Sequence, residues 1–181
     1  MNILFIVSEV DPFAKTGGLA DVGAALPKAL AQLGHDVRIV LPLYRAVDRE
    51  RHRLRPTSHA LSVGTHQLRA WETALPKTAV PVYALECGEL FDRDGLYLER
   101  GRDYPDNLER FSVFSQAALQ LPALLGWAPD IVHAHDWQAA LAVAHLRVGA
   151  LAARRPWPAP APSSPSTIWR TRGCSRTTSG R

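Results

Sequence analysis

The chain has 181 residues, 46% of them hydrophobic, which suits a globular domain with a substantial core rather than a disordered protein. No apolar run approaches the roughly 18 to 20 residues that a membrane-spanning helix requires, so no membrane partner is expected. The net charge of +4 depends on six arginines after residue 150, and removing them leaves −2 for residues 1–150. Because a nucleic-acid interface needs a basic patch on the folded part, no nucleic-acid partner is expected either.

The opening residues MNILFIVSEV have no basic start, and acidic residues follow the short apolar run directly. This pattern argues against a signal peptide and predicts the buried first strand of a cytoplasmic protein. The two cysteines, Cys87 and Cys174, form neither a disulfide framework nor a local metal-ligand spacing. We therefore expect no metal and no cofactor, and the sequence carries no signal for an oligomeric state.

The first 41 residues predict a strand, a loop, a helix and a second strand. Asn2–Ser8 reads as a fully buried strand, and Asp36–Leu41 as the next one. Between them, helical spacing predicts a helix over Leu19–Leu33 that stops at Gly34, although Pro27 indicates a kink or a later start. The predicted apolar face of this helix is Leu19, Val22, Leu26, Leu30 and Leu33. Such a βαβ unit almost always has a right-handed crossover.

The remaining chain alternates less regularly until its second half. Residues 44–56 are a charged, Arg-rich excursion, expected to be a surface loop or a short helix. Three strands are predicted next, at Ala60–Val63, His66–Trp71 and Val80–Leu85, followed by a loop over 91–106. A helix is predicted over Asn107–Leu125, with an apolar face formed by Leu108, Phe111, Phe114, Ala118, Leu121 and Leu125. The last two predicted elements are a strand at Asp130–Ala134 and a helix over Trp137–Leu146. Strand-helix alternation at both ends predicts an α/β fold with a doubly wound, mostly parallel sheet.

The composition changes after about residue 153, where a Pro-rich run precedes a basic end. One interpretation is a linker followed by a disordered tail. Another is a frameshift: with suitable synonymous codons, 165–181 reads in a second frame as Val-His-His-Leu-Ala-Tyr-Gln-Gly-Leu-Phe-Pro-Asp-Asp-Phe-Trp-Pro. We therefore expect one domain over residues 1–153, and a frameshifted, disordered tail over residues 154–181.

The segment KTGGLADV lies between the first strand and its helix, where a doubly wound sheet binds anions. Gly17 and Gly18 let the backbone approach a ligand, and amides at a helix N-terminus favour negative charge. Lys15 adds a cation suited to a diphosphate. The spacing matches neither a P-loop nor the dinucleotide fingerprint. The alternatives are a plain strand-to-helix turn and, for Asp21, an ordinary acid of the first helical turn.

The segment HAHDW follows a predicted strand at its carboxyl end. Alternation along the strand directs His133 and His135 to the same face. A metal site with Asp136 is disfavoured because no third ligand cluster is evident. A satisfied buried histidine and, for Asp136, a helix N-cap before Trp137 are the alternatives to a ligand-binding role.

The segment Tyr104-Pro105-Asp106-Asn107 precedes the long predicted helix. An aromatic ring such as that of Tyr104 is suited to stacking on a sugar. Asp106 or Asn107 is alternatively a helix N-cap.

SEVDPFAKTGGLADVGAALPKAL, together with HAHDW, closely resembles the bacterial glycogen synthases and plant starch synthases, over Met1 to about Val148. The resemblance implies a Rossmann-like N-terminal half of a two-domain GT-B glycosyltransferase, the C-terminal nucleotide-binding domain being absent. The family reaction is retaining transfer of glucose from ADP-glucose to the non-reducing end of an α-1,4-glucan.

The resemblance also implies roles for individual residues, since the family's KTGG lysine contacts the phosphates of the nucleotide sugar. The implied ADP-glucose-binding residues are Lys15, Gly17, Gly18 and Asp21. Those on the sugar and acceptor side are Tyr104, Asn107, His135 and Asp136. The family's histidine before Leu-Ala-Tyr-Gln-Gly is missing, as are the second half's arginine, lysine and glutamate, so this chain is expected to be inactive alone. A non-enzymatic module that binds glucan or nucleotide sugar, and a product with no role, are the alternatives.

Overall fold

The computed structural model describes residues 1–148. The predicted tail, 154–181, and the boundary near residue 153 lie outside these residues. In chain order the elements are β1 (Asn2–Ile6), α1 (Gly18–Gln32), β2 (Asp36–Pro42), β3 (Arg55–Val63), β4 (His66–Ala74), β5 (Pro81–Glu86), α2 (Gly88–Phe91), β6 (Leu98–Glu99), β7 (Arg102–Asp103), α3 (Asn107–Leu124), β8 (Ile131–Ala134) and α4 (Asp136–Val148). Within the described part of the chain, no helix is both long and apolar enough to cross a membrane.

Six strands form one mixed sheet in the order β3-β4-β5-β2-β1-β8. The four strands β5, β2, β1 and β8 are parallel, whereas β4 pairs antiparallel with both β3 and β5. The prediction of a mostly parallel α/β sheet is therefore confirmed. The runs rich in apolar residues became parallel strands because both faces of β1 and β2 are buried.

The chain reverses its direction of winding at β1. From β1 it crosses through α1 to β2 on one side, and it later returns through α3 to β8 on the other side. Because parallel crossovers are right-handed, this reversal makes the sheet doubly wound and creates a switch point between β1 and β8. Ligands of open α/β sheets bind outside the carboxyl ends of the strands at such a point.

Helix α1 buries its predicted face only in part: Leu19, Leu26 and Leu30 are half-buried against the core, but they are not its most buried residues. It runs through Pro27, so the later start is wrong. Its buried residues are Ala20, Gly23 and Pro27, while Val22 and Leu33 of the predicted face are 46% and 74% exposed. The reason is close packing: a Cβ at Gly23 would lie 2.4 Å from the backbone oxygen of Glu9. Gly34, with φ +85°, follows the helix as predicted.

Helix α3 confirms most of its predicted face, since Phe111, Phe114, Ala118 and Leu121 are buried. Leu108 is 74% exposed, so its assignment to this face was wrong. The first turn of the helix buries Arg110 instead, at 0% exposure. A periodicity that counts only apolar residues does not find such a position.

The excursion at 44–56 consists of turns leading into β3, and the loop expected over 91–106 carries only the short β6–β7 pair. Both segments lie beyond the carboxyl ends of parallel strands, after β2 and β5 respectively. They therefore contribute side chains to the same edge as the loop that follows β1.

Candidate functional site at the carboxyl edge of the sheet

The two strongest sequence motifs flank the switch point. The Lys15–Asp21 segment joins β1 to α1, and His135 and Asp136 join β8 to α4. Since β1 and β8 are adjacent and parallel, the two segments leave the sheet side by side. The Tyr104–Asn107 loop reaches the same edge through Tyr97, whose hydroxyl donates to Glu9 Oε1 at 2.7 Å. The fold thus brings the three predicted segments to one region.

Lys15 is held at the start of α1 by acidic side chains. Its Nζ donates to Asp21 Oδ1 and lies 3.9 Å from Asp11 Oδ1. The hydrogen bond that Lys15 donates to Asp21, together with the negative charges of Asp21 and Asp11, raises the pKa of Lys15. The ammonium is therefore charged at neutral pH. Its side chain is 46% exposed, so an incoming anion can reach it from solvent.

Among residues 1–148, no side chain caps the start of α1. Gly17 occupies the N-cap position in an extended conformation, and no side chain there bonds to the helix. A Cβ at Gly17 or Gly18 would meet no protein atom within 4 Å. Packing within the described chain therefore does not require glycine here, whereas close approach of a ligand to the backbone would.

The two predicted amide donors differ. The Gly17 N–H donates to Glu9 Oε2 at 3.2 Å. Gly18, as the first helical residue, has no intrahelical acceptor for its N–H, and neither have the next two residues. The amides that can donate hydrogen bonds to an anion are therefore those of Gly18, Leu19 and Ala20.

Glu9 is the main residue that sequence reasoning missed. It is 3% exposed, and its carboxylate accepts hydrogen bonds from the Thr16 N–H, the Thr16 hydroxyl at 2.7 Å, the Gly17 N–H and the Tyr97 hydroxyl. These bonds fix the loop before α1 and attach it to the 92–106 loop. The available signal was an acidic residue directly after a buried strand, which is costly to bury unless it has partners.

Tyr97, also missed, connects the other elements of the site. Its hydroxyl accepts from Ser8 Oγ at 2.8 Å, and its ring lies 5.8 Å from that of Phe111 and 5.9 Å from that of Trp137. Burial, followed by the negative charge of Glu9, raises the pKa of Tyr97 well above its usual range, although its bond with Ser8 acts the other way. The phenol therefore remains a neutral donor. Trp137 is 51% exposed, which gives this edge an aromatic surface.

Tyr104 packs against cations rather than standing free. The guanidinium groups of Arg93 and Arg110 each lie 4.8 Å from its ring centroid. Its hydroxyl accepts from the Gly95 N–H at 3.2 Å. These contacts fix the ring near the site, and they cover part of the aromatic surface predicted to stack on a sugar.

The N-cap alternative holds for Asp106 in position only, and it is wrong for Asn107, which is the first residue of α3. Asp106 is at the N-cap position of α3 but makes no side-chain cap bond; it pairs with Arg93, whose Nη1 donates to Oδ1 at 2.8 Å. Asn107 Nδ2 donates to the Tyr97 carbonyl at 2.9 Å, and Asn107 Oδ1 accepts from Arg110 Nη1 at 2.7 Å. Tertiary partners have replaced local capping, and they position the Tyr97 segment.

Arg110 organises the loop from the interior. Its guanidinium donates to the Leu90 carbonyl at 2.7 Å and the Leu96 carbonyl at 3.0 Å, besides Asn107. Burial is the largest influence on its pKa and lowers it. The carbonyls of Leu90, in α2, and Leu96, in the loop, thus satisfy a buried charge. A sequence pattern of polar and apolar residues would place this arginine at the surface.

His133 and His135 contact each other, as the strand alternation predicted. His135 Nε2 lies 3.3 Å from His133 Nδ1, and both rings pack on Phe5. Burial lowers the pKa of both, and the neighbouring His133 helps to lower that of His135 to about 4. Both imidazoles are therefore neutral at pH 7. That they bind no metal stays a prediction.

Asp136 begins α4 with φ +61°, a left-handed conformation that Asp tolerates better than most residues. Its Oδ1 accepts from the adjacent Trp137 N–H at 3.0 Å. Asp136 thus bonds to the next amide in the chain and not to the amides two or three residues further on, which an N-cap side chain normally binds. The N-cap prediction therefore holds for the position of Asp136 but not for its hydrogen bond. The side chain is exposed, and strained backbone of this kind is concentrated at binding sites.

Comparison with known proteins adds the decisive observation: the starch synthase catalytic domain model matches residues 2–154. The chain belongs to this family. It is 50% identical over 145 residues to glycogen synthase 1 of Geobacter sulfurreducens, and 48% identical over 151 residues to the glycogen synthase of Syntrophotalea carbinolica. Those matches cover 77% and 81% of this chain but 29% and 31% of the two relatives.

A solved structure of the family shares the fold. The catalytic domain of starch synthase IV from Arabidopsis thaliana, bound to ADP and acarbose, matches with a TM-score of 0.70 and 35% sequence identity. The match covers 80% of this chain and 30% of that one. The chain therefore has the mixed α/β fold of the matching part of a GT-B starch synthase catalytic domain, and it spans about a third of the length of its relatives.

Proposed function

We propose that this chain binds ADP-glucose at the switch point between β1 and β8 and contributes this site to glucosyl transfer. The reaction is the retaining transfer of glucose to the non-reducing end of an α-1,4-glucan such as glycogen. The single observation that carries the proposal is the start of α1, uncapped and next to the exposed cation of Lys15. A helix N-terminus and a lysine together suit a diphosphate. We place the reaction in the cytoplasm and assign no cofactor to it.

In this proposal the residues around α1 bind the nucleotide sugar. Lys15 pairs with the diphosphate, and the amides from Gly18 onward donate to it. The anion then competes with Asp21 for the Lys15 ammonium, so Asp21 becomes available to the sugar hydroxyls. Gly17 contributes by leaving room for the ligand rather than by its N–H, which Glu9 occupies.

In this proposal the residues that follow β8 and those that precede α3 interact with the glucose and with the glucan acceptor. Neutral His135 and exposed Asp136 offer hydrogen bonds to hydroxyl groups of glucose or glucan. Tyr104 offers the ring surface that its two arginines leave open, and Asn107 acts by holding Tyr97 in place.

We further propose that the 181 residues alone do not turn over. Stabilising the transition state requires donors fixed around the leaving diphosphate. The proposed site supplies Lys15 and one helix terminus. ADP-glucose, glycogen and the purified chain are therefore expected to give no transfer of labelled glucose, although ADP binds saturably. Transfer above the blank would contradict the inactivity, and absence of saturable ADP binding would remove the proposed site. Binding without a contribution to transfer, even when the remainder of a family enzyme is supplied, would favour a non-enzymatic module.

Asp21→Asn separates the two roles left open for this residue. It frees Lys15, so we expect ADP, which has no sugar, to bind more tightly than to the unaltered chain. If Asp21 also contacts glucose, ADP-glucose gains less than ADP does. Equal gains for both ligands, measured by calorimetric titration, would reduce Asp21 to a charge partner of Lys15.

A further inference from the structure

A second cluster of potential ligand atoms lies where β4, β5 and α2 meet. His66 is the first residue of β4, Cys87 follows β5 directly, and Glu89 is in the first turn of α2. Cys87 is buried at 3% exposure, while the Glu89 side chain is 59% exposed. One side of the cluster is thus closed by protein and the other is open to solvent.

The donor atoms have the spacing that one metal ion requires. One ligand atom from each of the three residues lies within 4.8 Å of the other two. Cys87 Sγ is 3.7 Å from Glu89 Oε1, and His66 Nδ1 is hydrogen-bonded to that same oxygen. Metal–ligand bonds of about 2.0 to 2.3 Å in a tetrahedron place neighbouring ligand atoms about 3.5 Å apart. The His66–Glu89 contact has to open when a metal takes the place of the proton between them, and Cys87 Sγ already lies near the spacing required from Glu89.

An independent contact orients the imidazole for this role. His66 Nε2 lies 3.1 Å from Glu109 Oε1 of α3, on the side of the ring away from Nδ1. Metal-bound histidines almost always donate their second ring N–H to a carboxylate or carbonyl, which fixes the tautomer. Glu109 supplies that partner and leaves Nδ1 directed at Glu89.

We propose that His66, Cys87 and Glu89 bind a zinc ion, with Glu109 as the outer partner of His66 and solvent at the fourth position. A thiolate, an imidazole and a carboxylate together match the ligand preference of Zn²⁺. Binding is coordination without redox change: the thiol proton and the proton shared between His66 and Glu89 leave to solvent as the metal enters. The sequence showed no such site because its ligands come from separate elements.

The metal would join the β3–β4 hairpin to α2 and, through Glu109, to the start of α3. Of these elements, α2 and α3 directly precede and follow the 92–106 loop that carries Tyr97. Without metal, burial and the charge of Glu89 raise the pKa of Cys87 to about 11, which keeps the thiol protonated and unreactive. The inference concerns metal binding alone and is independent of the proposed transfer reaction.

The test uses Co²⁺ as a spectroscopic substitute for Zn²⁺ on the untagged 181-residue chain under reducing conditions. A thiolate ligand gives a thiolate-to-cobalt charge-transfer band. In a Cys174→Ser background we expect one equivalent of Co²⁺ to produce this band and Zn²⁺ to displace it. Cys87→Ser should abolish the band, and Glu109→Gln should retain it with about 10- to 100-fold weaker affinity.

Each contrary result overturns the proposal: no saturable band, a band that persists in Cys87→Ser, or a band lost with Cys174→Ser. Circular dichroism of each variant checks that it folds. If Cys87→Ser does not fold, His66→Gln answers the same question, because removing the imidazole should also eliminate tight binding. An unchanged affinity in His66→Gln contradicts the assigned ligand set.

Discussion

Gly23 links the packing of α1 to the site loop, and replacing it by alanine tests that link. The added Cβ would lie 2.4 Å from the Glu9 backbone oxygen, whereas ordinary contacts begin at 3.4 Å. The helix or the loop must therefore move by about 1 Å. Overpacking typically costs about 1 to 3 kcal/mol, and a backbone carbonyl cannot rotate away as a side chain does, so we expect the upper half of that range. Alanine recovers about 1 kcal/mol of helix propensity, which leaves a net loss of about 1 to 2 kcal/mol.

Urea denaturation of Gly23→Ala measures this loss, and Gly88→Ala is the matched control. A Cβ at Gly88 meets nothing within 4 Å, so its variant should remain within about 0.5 kcal/mol of the unaltered chain. The displaced Glu9 should also weaken ADP binding by Gly23→Ala. Equal stability of the two variants would refute the close packing of α1 on the loop.

Three further variants test the contacts around the site. Glu9→Gln removes the negative charge to which the Thr16 and Gly17 amides donate. Because hydrogen bonds to charged groups contribute about 1.5 to 3 kcal/mol each, we expect the free energy of unfolding in urea to fall by about 2 kcal/mol and ADP to bind more weakly. Tyr97→Phe removes the bonds to Glu9 and Ser8 and should cost about 1 to 2 kcal/mol by the same measurement; no change would contradict the connecting role of the hydroxyl. Arg93 lowers the pKa of Asp106 by its hydrogen bond, so this contribution to stability is present above the unfolded-state pKa and is lost as pH falls through the folded-state value. Arg93→Gln should thus lose stability at pH 6, and the difference from the unaltered chain should shrink as pH falls below the ordinary range of Asp; a difference that is independent of pH would contradict it.

The sequence predicted the parts of the fold that depend on local patterns. Apolar runs at β1, β2 and β8 and the periodicity of α3 identified the parallel sheet and the longest helix, although only Ala134 of β8 is fully buried. The fully buried residues of α1 were not predictable in this way, because a small residue such as Gly23 is required by the close approach of the Glu9 backbone oxygen rather than by hydrophobicity. Arg110 was missed for a related reason: its burial depends on carbonyls at Leu90 and Leu96.

The same distinction between local patterns and distant contacts applies to the residues of the candidate site. Lys15 and Asp136 were found because they lie in short motifs beside predicted strands. Glu9 and Tyr97 were not, since their roles depend on a contact between two loops far apart in the sequence. Asp106 is at the predicted N-cap position but does not cap the helix, because Arg93, 13 residues earlier in the same loop, binds its carboxylate.

The central claim is that ADP-glucose binds at the start of α1, and amide chemical shifts of the ¹⁵N-labelled chain test it most directly. Titration with ADP-glucose should shift the amides from Gly18 to Ala20 most strongly, together with those around Asp136. Lys15→Gln should abolish these shifts, while Lys77→Gln, in the turn before β5, should leave them unchanged. Shifts that are absent from α1, or that are equal in the two lysine variants, would contradict the account.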